Sequence, residues 1–247
     1  MKPRLSYTIW FTQRTGSSLL CKVLEETGIA GKPNEWLWSW LEEHRSSSPR
    51  ELQNQLWESG TTSNGIFGIK HSFHEPHFSK LIETLRQFPN CPSNENNRAR
   101  IWEYAFPNHR HIFMTRRNKV RLAVSWWKAI QSQEWHRLTG APAKSVDLSK
   151  AYSFDAIQHL YNECSMREAG IQEFFTEGKI APLTIVYEDF IQEYERTVRK
   201  ILEFLGLNAA DIEISPPPLA RTADDLSEGW AQRFREELQH GWVNRGW

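Results

Sequence analysis

The chain has 247 residues, 30 Lys+Arg against 30 Asp+Glu, and a formal net charge of +0. That is long enough to bury a full core, and hydrophobic residues at 39%, with 12 Trp and 13 Phe, exclude an intrinsically disordered chain. The balanced charge speaks against a broad nucleic-acid-binding surface, and no apolar run approaches the ~18 residues of a membrane span.

Leu5–Phe11 (LSYTIWF) is short, β-branched and aromatic, which predicts a buried strand. It runs into the turn Thr12–Ser18 (TQRTGSS), and Leu19–Thr27 then carries Leu19, Leu20, Val23 and Leu24 at helical spacing, with Gly28 as a stop. Strand, glycine-containing turn and helix open a phosphate-binding βαβ unit. Asn64–Lys70 predicts a second strand, Pro76–Phe88 a helix, Phe88–Arg100 a polar loop and His111–Thr115 a third strand. Lys119–Ser132 and Phe154–Phe175 read as helices separated by the loop Thr139–Leu148. Pro182–Tyr187 predicts a fourth strand, Phe190–Leu205 a helix closed by Gly206, Asp211–Pro218 an extended segment and Ser227–Gln239 a helix opened by a capping serine. Alternating strands and helices predict an α/β fold with a mostly parallel central sheet flanked by helices on both faces, in one domain over residues 1–247. The N-terminus lacks the pattern of a secretory signal, and Cys21, Cys91 and Cys164 are odd in number and widely spaced. Idle thiols in a cytoplasmic protein are expected, with neither a disulfide framework nor a zinc site.

Two segments carry chemistry. In Gln13–Cys21 (QRTGSSLLC), Gly16 lets the backbone turn closely around an anion, Ser17 and Ser18 offer hydroxyls at a helix N-terminus, and Arg14 adds a fixed positive fork. The loop has no Lys before its serines, so it does not fit a magnesium-dependent nucleotide triphosphatase. In Arg116–Ser125 (RRNKVRLAVS), Arg117 and Ser125 stand eight residues apart on a helix that follows a strand. That is roughly 12 Å of rise, so both meet one phosphate only if it lies beside the helix. Taken alone, the first segment is equally an ordinary capped helix and the second a basic, solvated helix start.

Together these segments resemble the sulfotransferases that use 3′-phosphoadenosine 5′-phosphosulfate (PAPS), with a P-loop-like three-layer fold. The likeness is nearest to the bacterial trehalose 2-sulfotransferase group, through QRTGSSLLC, Gly31, Pro33, Glu35 and Trp36 of GKPNEW, Val124–Trp127, and Tyr187–Asp189. The resemblance implies that Arg14, Thr15, Gly16, Ser17 and Ser18 hold the 5′-phosphosulfate and that Arg117 and Ser125 hold the 3′-phosphate, with Arg116 as a one-residue rival. It implies that Arg221 closes over the nucleotide and that Glu35 is the general base. His74, His71 and Glu75 are rival bases, because KHSFHE replaces the apolar stretch usual after the residue matching Lys70. Trp36 and Trp38, with Lys70 and His71, are candidate acceptor-binding residues. Trp36, Trp38 and Trp40 alternate, as one aromatic wall or as plain core packing. The implied reaction transfers a sulfuryl group from PAPS to a small acceptor, releasing adenosine 3′,5′-bisphosphate without a metal. A sugar or a specialised metabolite such as a guanidinium alkaloid suits as acceptor, and the resemblance implies a homodimer. A small-molecule kinase and a non-catalytic carbohydrate-binding module are the alternatives.

Overall fold

The computed structural model describes residues 2–37 and 47–242. Its sheet has four parallel strands, β1 (Leu5–Phe11), β2 (Ile66–His71), β3 (His109–Thr115) and β4 (Leu183–Val186), in the order β2-β1-β3-β4. β1 lies in the middle and is buried along almost its whole length. Side-chain parity along the strands sorts the core into two layers. Trp10, Phe67, Ile69 and Phe113 pack on one face with Phe78, Trp102 and Phe174; Tyr7, Ile9, Ile112, Met114 and Ile185 pack on the other with Leu20, Val198 and Ile201. The expected three-layer α/β arrangement follows.

The helices are α1 (Ser17–Glu26), α2 (Pro49–Gly60), α3 (His77–Arg86), α4 (Arg98–Ala105), α5 (Lys119–Ser132), α6 (Phe154–Gly178), α7 (Tyr187–Gln192), α8 (Tyr194–Phe204) and α9 (Asp225–Gln239). α5 has the predicted bounds because Asn118 caps it, its side chain accepting from the Arg121 N–H. Three expectations need correction. The single helix over Phe190–Leu205 is two, α7 and α8, broken at Glu193, whose backbone leaves the helical region (φ −116°, ψ 48°). The polar loop drawn to Arg100 ends sooner, because Asn97 caps α4. α9 starts at Asp225, with Asp224 as its cap and Ser227 as the reciprocal partner in the capping box. α2 lies outside the elements the sequence pattern predicts, although Ser48 and Glu51 form a complete capping box and Pro49 stands in the first turn.

The first layer holds three imidazoles, His71 and His111 buried and His109 half-buried. His109 bridges Ser6 (3.0 Å) and Thr8 (2.8 Å), His111 Nδ1 accepts from Trp10 Nε1 (2.9 Å), and His71 packs edge-on to Trp10. Burial holds His71 down to about 3 and His111 to about 4, and keeps His109 well below the usual histidine range. All three stay neutral in the folded chain, whereas the unfolded chain protonates them below about pH 6.5. Stability is therefore full above that pH and falls as pH drops toward 4, each buried ring contributing up to about 1.4 kcal/mol per pH unit. Denaturant unfolding at about pH 7 and about pH 5 checks this; equal stabilities would contradict it.

Candidate active site

β1, β3 and β4 all end at the same edge of the sheet, and the segments leaving them build the site. This is where ligands bind in parallel α/β sheets. After β1 the chain turns through Arg14 (φ 65°) and Gly16 (φ 82°), both left-handed. A Cβ at Gly16 would stand 2.7 Å from Tyr187 Cδ2, so glycine is required by both conformation and space. The Thr15 hydroxyl donates to the Thr12 carbonyl (2.7 Å), bracing the loop from inside. Gly16 is the N-cap of α1 and supplies no side-chain cap, so the first N–H groups of that helix face the site uncapped by a side chain.

Arg14 joins the two sequence motifs directly. Its Nε donates to Ser125 Oγ on α5 (3.1 Å), its Nη1 to the Trp135 carbonyl, and its Nη2 to Thr222 Oγ1 (3.3 Å). Arg116 lies beside it, with Nη1 donating to the Arg14 carbonyl (3.4 Å) and its guanidinium 4.7 Å from the Tyr187 ring centroid. Burial lowers the pKa of both guanidiniums, and the charge of Arg116 adds to the effect on Arg14. The nearest carboxylate oxygen to Arg116, from Glu188, is 3.7 Å from Nε, too far for a hydrogen bond. Two crowded, poorly solvated cations at a helix N-terminus form a strong anion site.

Arg117 points elsewhere. It is exposed and forks onto Asp189 of α7 with two contacts of 2.6 Å, while Glu188 accepts the Arg117 backbone N–H (3.0 Å). Strand parity explains the difference. Ile112 and Met114 face the α1 side of the sheet, and Arg116 continues that parity toward the phosphate loop, whereas Arg117 does not.

These groups line a cavity of about 340 Å³. Gly16, Ser17, Ser18, Arg14, Arg116 and Ser125 border it, Arg221 lies on its far wall, and Arg117 does not reach it. The wall is the strap of residues 217–223, pinned to the loop after α5 by a bridge between Leu138 and Leu219 and by the Ala220 N–H on the Arg137 carbonyl (2.9 Å). Lys128 Nζ fixes its end through the Thr222 carbonyl (3.0 Å) and Asp224.

A second, smaller hollow of about 60 Å³ is bordered by Gln13, Glu35, Lys70, His71 and Ser72. Lys70 Nζ connects it to the phosphate loop, lying 2.8 Å from Glu35 Oε1 and 3.1 Å from Ser18 Oγ. Lys70 is mostly buried and Glu35 is exposed at the opening. His71 reaches the hollow only as a neutral core ring. His74 borders neither space, and its Nδ1 is buried without a hydrogen-bond partner among the described residues. Glu75 caps Ser79 and is exposed. Trp36 is partly buried against the core and donates to the Lys32 carbonyl (2.9 Å). Trp38 and Trp40 lie outside the described residues.

The structure adds residues that sequence reasoning missed. Arg167 of α6 donates to Gln13 Oε1 (3.0 Å) and Ser72 Oγ (3.3 Å) and pairs with Glu163, fixing two walls of the small hollow. His136 and Trp135 enter from the loop after α5. None belongs to a local motif, and no sequence signal marked them. Among the described residues no group of three or more His, Cys, Asp or Glu is placed to hold a metal ion, and no helix is long and apolar enough to cross a membrane.

A model of the Stf0 sulphotransferase family matches residues 6–237. The chain belongs to the Stf0 sulphotransferase family. It is 27% identical to the trehalose 2-sulfotransferase of Mycolicibacterium smegmatis over 95% of this chain and 96% of that one. It is also 27% identical to the trehalose 2-sulfotransferase of Mycobacterium tuberculosis, over 94% of each. A sulfotransferase crystal structure from Alicyclobacillus acidocaldarius shares the fold, with a TM-score of 0.52 over 97% of each chain at 15% identity. As a member of the Stf0 sulphotransferase family the chain is an enzyme of sulfuryl transfer, which sets aside the kinase and the non-catalytic carbohydrate-binding module.

Proposed function

We propose that the larger cavity holds PAPS and the smaller hollow the acceptor, with sulfur passing between them beside Lys70 and Ser18. The convergence of Arg14, Arg116 and Ser125 on one cavity at the phosphate loop carries this reading. The N-terminus of α1, Arg14, Gly16, Ser17 and Ser18 take the 5′-phosphosulfate. Arg116 and Ser125 take the 3′-phosphate, with Arg221 closing from the strap. An acceptor hydroxyl attacks sulfur in line; the bond from sulfur to the bridging oxygen breaks, its electron pair stays on the 5′-phosphate, and the acceptor proton goes to Glu35. Positioning and fixed positive charge supply most of the catalysis, as in phosphoryl transfer. The residues hold the donor through positive charge and backbone N–H groups, and no metal is needed for the step.

The acceptor is a neutral hydroxyl compound of the sugar type rather than a cation. Lys70 already neutralises Glu35, and Arg167 stands behind the same hollow, so among the described residues no unpaired negative charge there favours a guanidinium guest. Both curated relatives carry the name trehalose 2-sulfotransferase, which agrees with a sugar hydroxyl.

Calorimetric titration with adenosine 3′,5′-bisphosphate, with AMP as the control, tests the donor site. Arg116→Ala is expected to weaken binding at least tenfold and to erase the preference over AMP, as losing a charge-assisted phosphate contact does. Arg117→Ala is expected to change affinity by less than about twofold, because an exposed ion pair contributes little. The opposite ranking would move the 3′-phosphate to Arg117, and absence of binding by the folded wild-type protein would sink the donor assignment.

A further inference from the structure

His136 stands at the mouth of the larger cavity, on a backbone clamped on both sides. Before it, the Trp135 carbonyl accepts from Arg14 Nη1. After it, the Arg137 carbonyl accepts from the Ala220 N–H of the strap (2.9 Å), and the Arg137 side chain is forked onto Glu134 at 3.0 and 2.6 Å. The clamp presents the imidazole toward the phosphate loop, with Nε2 3.4 Å from Ser18 Oγ, the hydroxyl that also accepts from Lys70.

The charges facing the ring come from several elements. Arg14 on the phosphate loop, Lys22 on α1 and Lys70 on β2 are positive; Glu35 is the opposing carboxylate. On its own loop Arg137 is balanced by Glu134, and Arg221 of the strap borders the same cavity. Partial desolvation, then Arg14, Lys70 and Lys22, hold the imidazole down to about 4, so these surroundings keep it neutral near pH 7. An incoming polyanion reverses the sign of that surrounding field and favours the protonated ring.

We propose that His136 is a further donor-binding residue, which takes up a proton from solvent as the 5′-phosphosulfate settles on the phosphate loop and donates its Nε2–H to the 5′-phosphate. This rests on the donor assignment above. In the transfer step His136 forms no covalent bond. When the bond between sulfur and the bridging oxygen breaks, the electron pair remains on the 5′-phosphate, and the imidazolium stabilises that added charge. The role makes His136 a sensor of donor occupancy as well as a contact. Affinity for the nucleotide then rises as pH falls, because the complex binds one proton more than the free protein.

The test is titration calorimetry of adenosine 3′,5′-bisphosphate binding in buffers of different ionisation enthalpy, at several pH values from about 8 to about 6. Wild type is compared with His136→Gln and His136→Asn, each checked for an unchanged melting temperature. The wild type is expected to take up about 0.5–1 proton more than either variant near neutral pH. Its affinity is expected to rise about tenfold more than theirs across the range, the gain that an average of about half a linked proton brings over two pH units. Equal proton counts and parallel affinity curves, with binding intact, would overturn the role of His136 and leave the donor site standing. Failure of every folded protein to bind the nucleotide would overturn the donor assignment and this proposal with it.

Discussion

Arg14→Ala is expected to lower kcat/KM for sulfuryl transfer by about 10³-fold, or about 4 kcal/mol of transition-state stabilisation. Negative charge on the bridging oxygen grows only as sulfur departs, so a fixed guanidinium at that point stabilises the transition state more than bound donor. Arg14 is fixed by Ser125, Trp135 and Thr222, which leaves little reorganisation for the reaction to demand. Stability is expected to change far less than activity. The variant loses three hydrogen bonds, but it also relieves the burial of a cation and its repulsion from Arg116. Arg14→Lys keeps the charge and loses the planar fork, so it is expected to fall between wild type and alanine. Steady-state kinetics with thermal unfolding of the same samples separate the two effects. A loss under tenfold, or a loss that merely follows a collapse in melting temperature, would remove Arg14 from the chemistry.

The parts of the fold that were legible in the sequence are those fixed locally. Strand β1, the turn at Gly16 and helix α1 follow one another within Leu5–Glu26, and α5 is bounded by its own cap at Asn118. The break at Glu193 leaves no mark in the sequence because the apolar pattern runs on through both helices, with Phe190 in α7 and Val198 and Ile201 in α8 buried alike. The candidate site shows the same limit. An eight-residue spacing picks Arg117 with Ser125, whereas strand parity and the carboxylates of α7 turn Arg117 outward and Arg116 inward. Parity could have been counted from Ile112 and Met114, but Asp189 as the partner of Arg117 lies 72 residues away and no local pattern links them. Arg167 and His136 are illegible for that reason too: each makes its contact across more than a hundred residues, to Gln13 and to Ser18. The pairing of Lys70 with Glu35 also needed the fold, which places the end of β2 beside the loop after α1.

Glu35→Gln is expected to lower kcat by about 10³-fold without weakening donor binding, within the range typical of losing a positioned general base. The expectation depends on how Lys70 divides its attention. Its ammonium is 2.8 Å from Glu35 and 3.1 Å from Ser18, one cation spanning the acceptor hollow and the phosphate loop. On the assignment proposed above, an incoming sulfuryl group would bring negative charge to the Ser18 side and draw Lys70 toward it, leaving the Glu35 carboxylate free to receive the acceptor proton. On that assignment the pair would couple donor binding to readiness of the base. Removing either member should uncouple the two. Lys70→Met is expected to reduce kcat about 10²-fold or more by losing the charge at sulfur, with Glu35 no longer held in place. The double variant should fall by less than the product of the single losses, since both act on one step. Single-turnover rates with saturating donor, measured for the two single variants and the double, check this. Fully multiplicative losses would show that Glu35 and Lys70 act independently. An unchanged rate for Glu35→Gln would give the acceptor proton to another base, or to water.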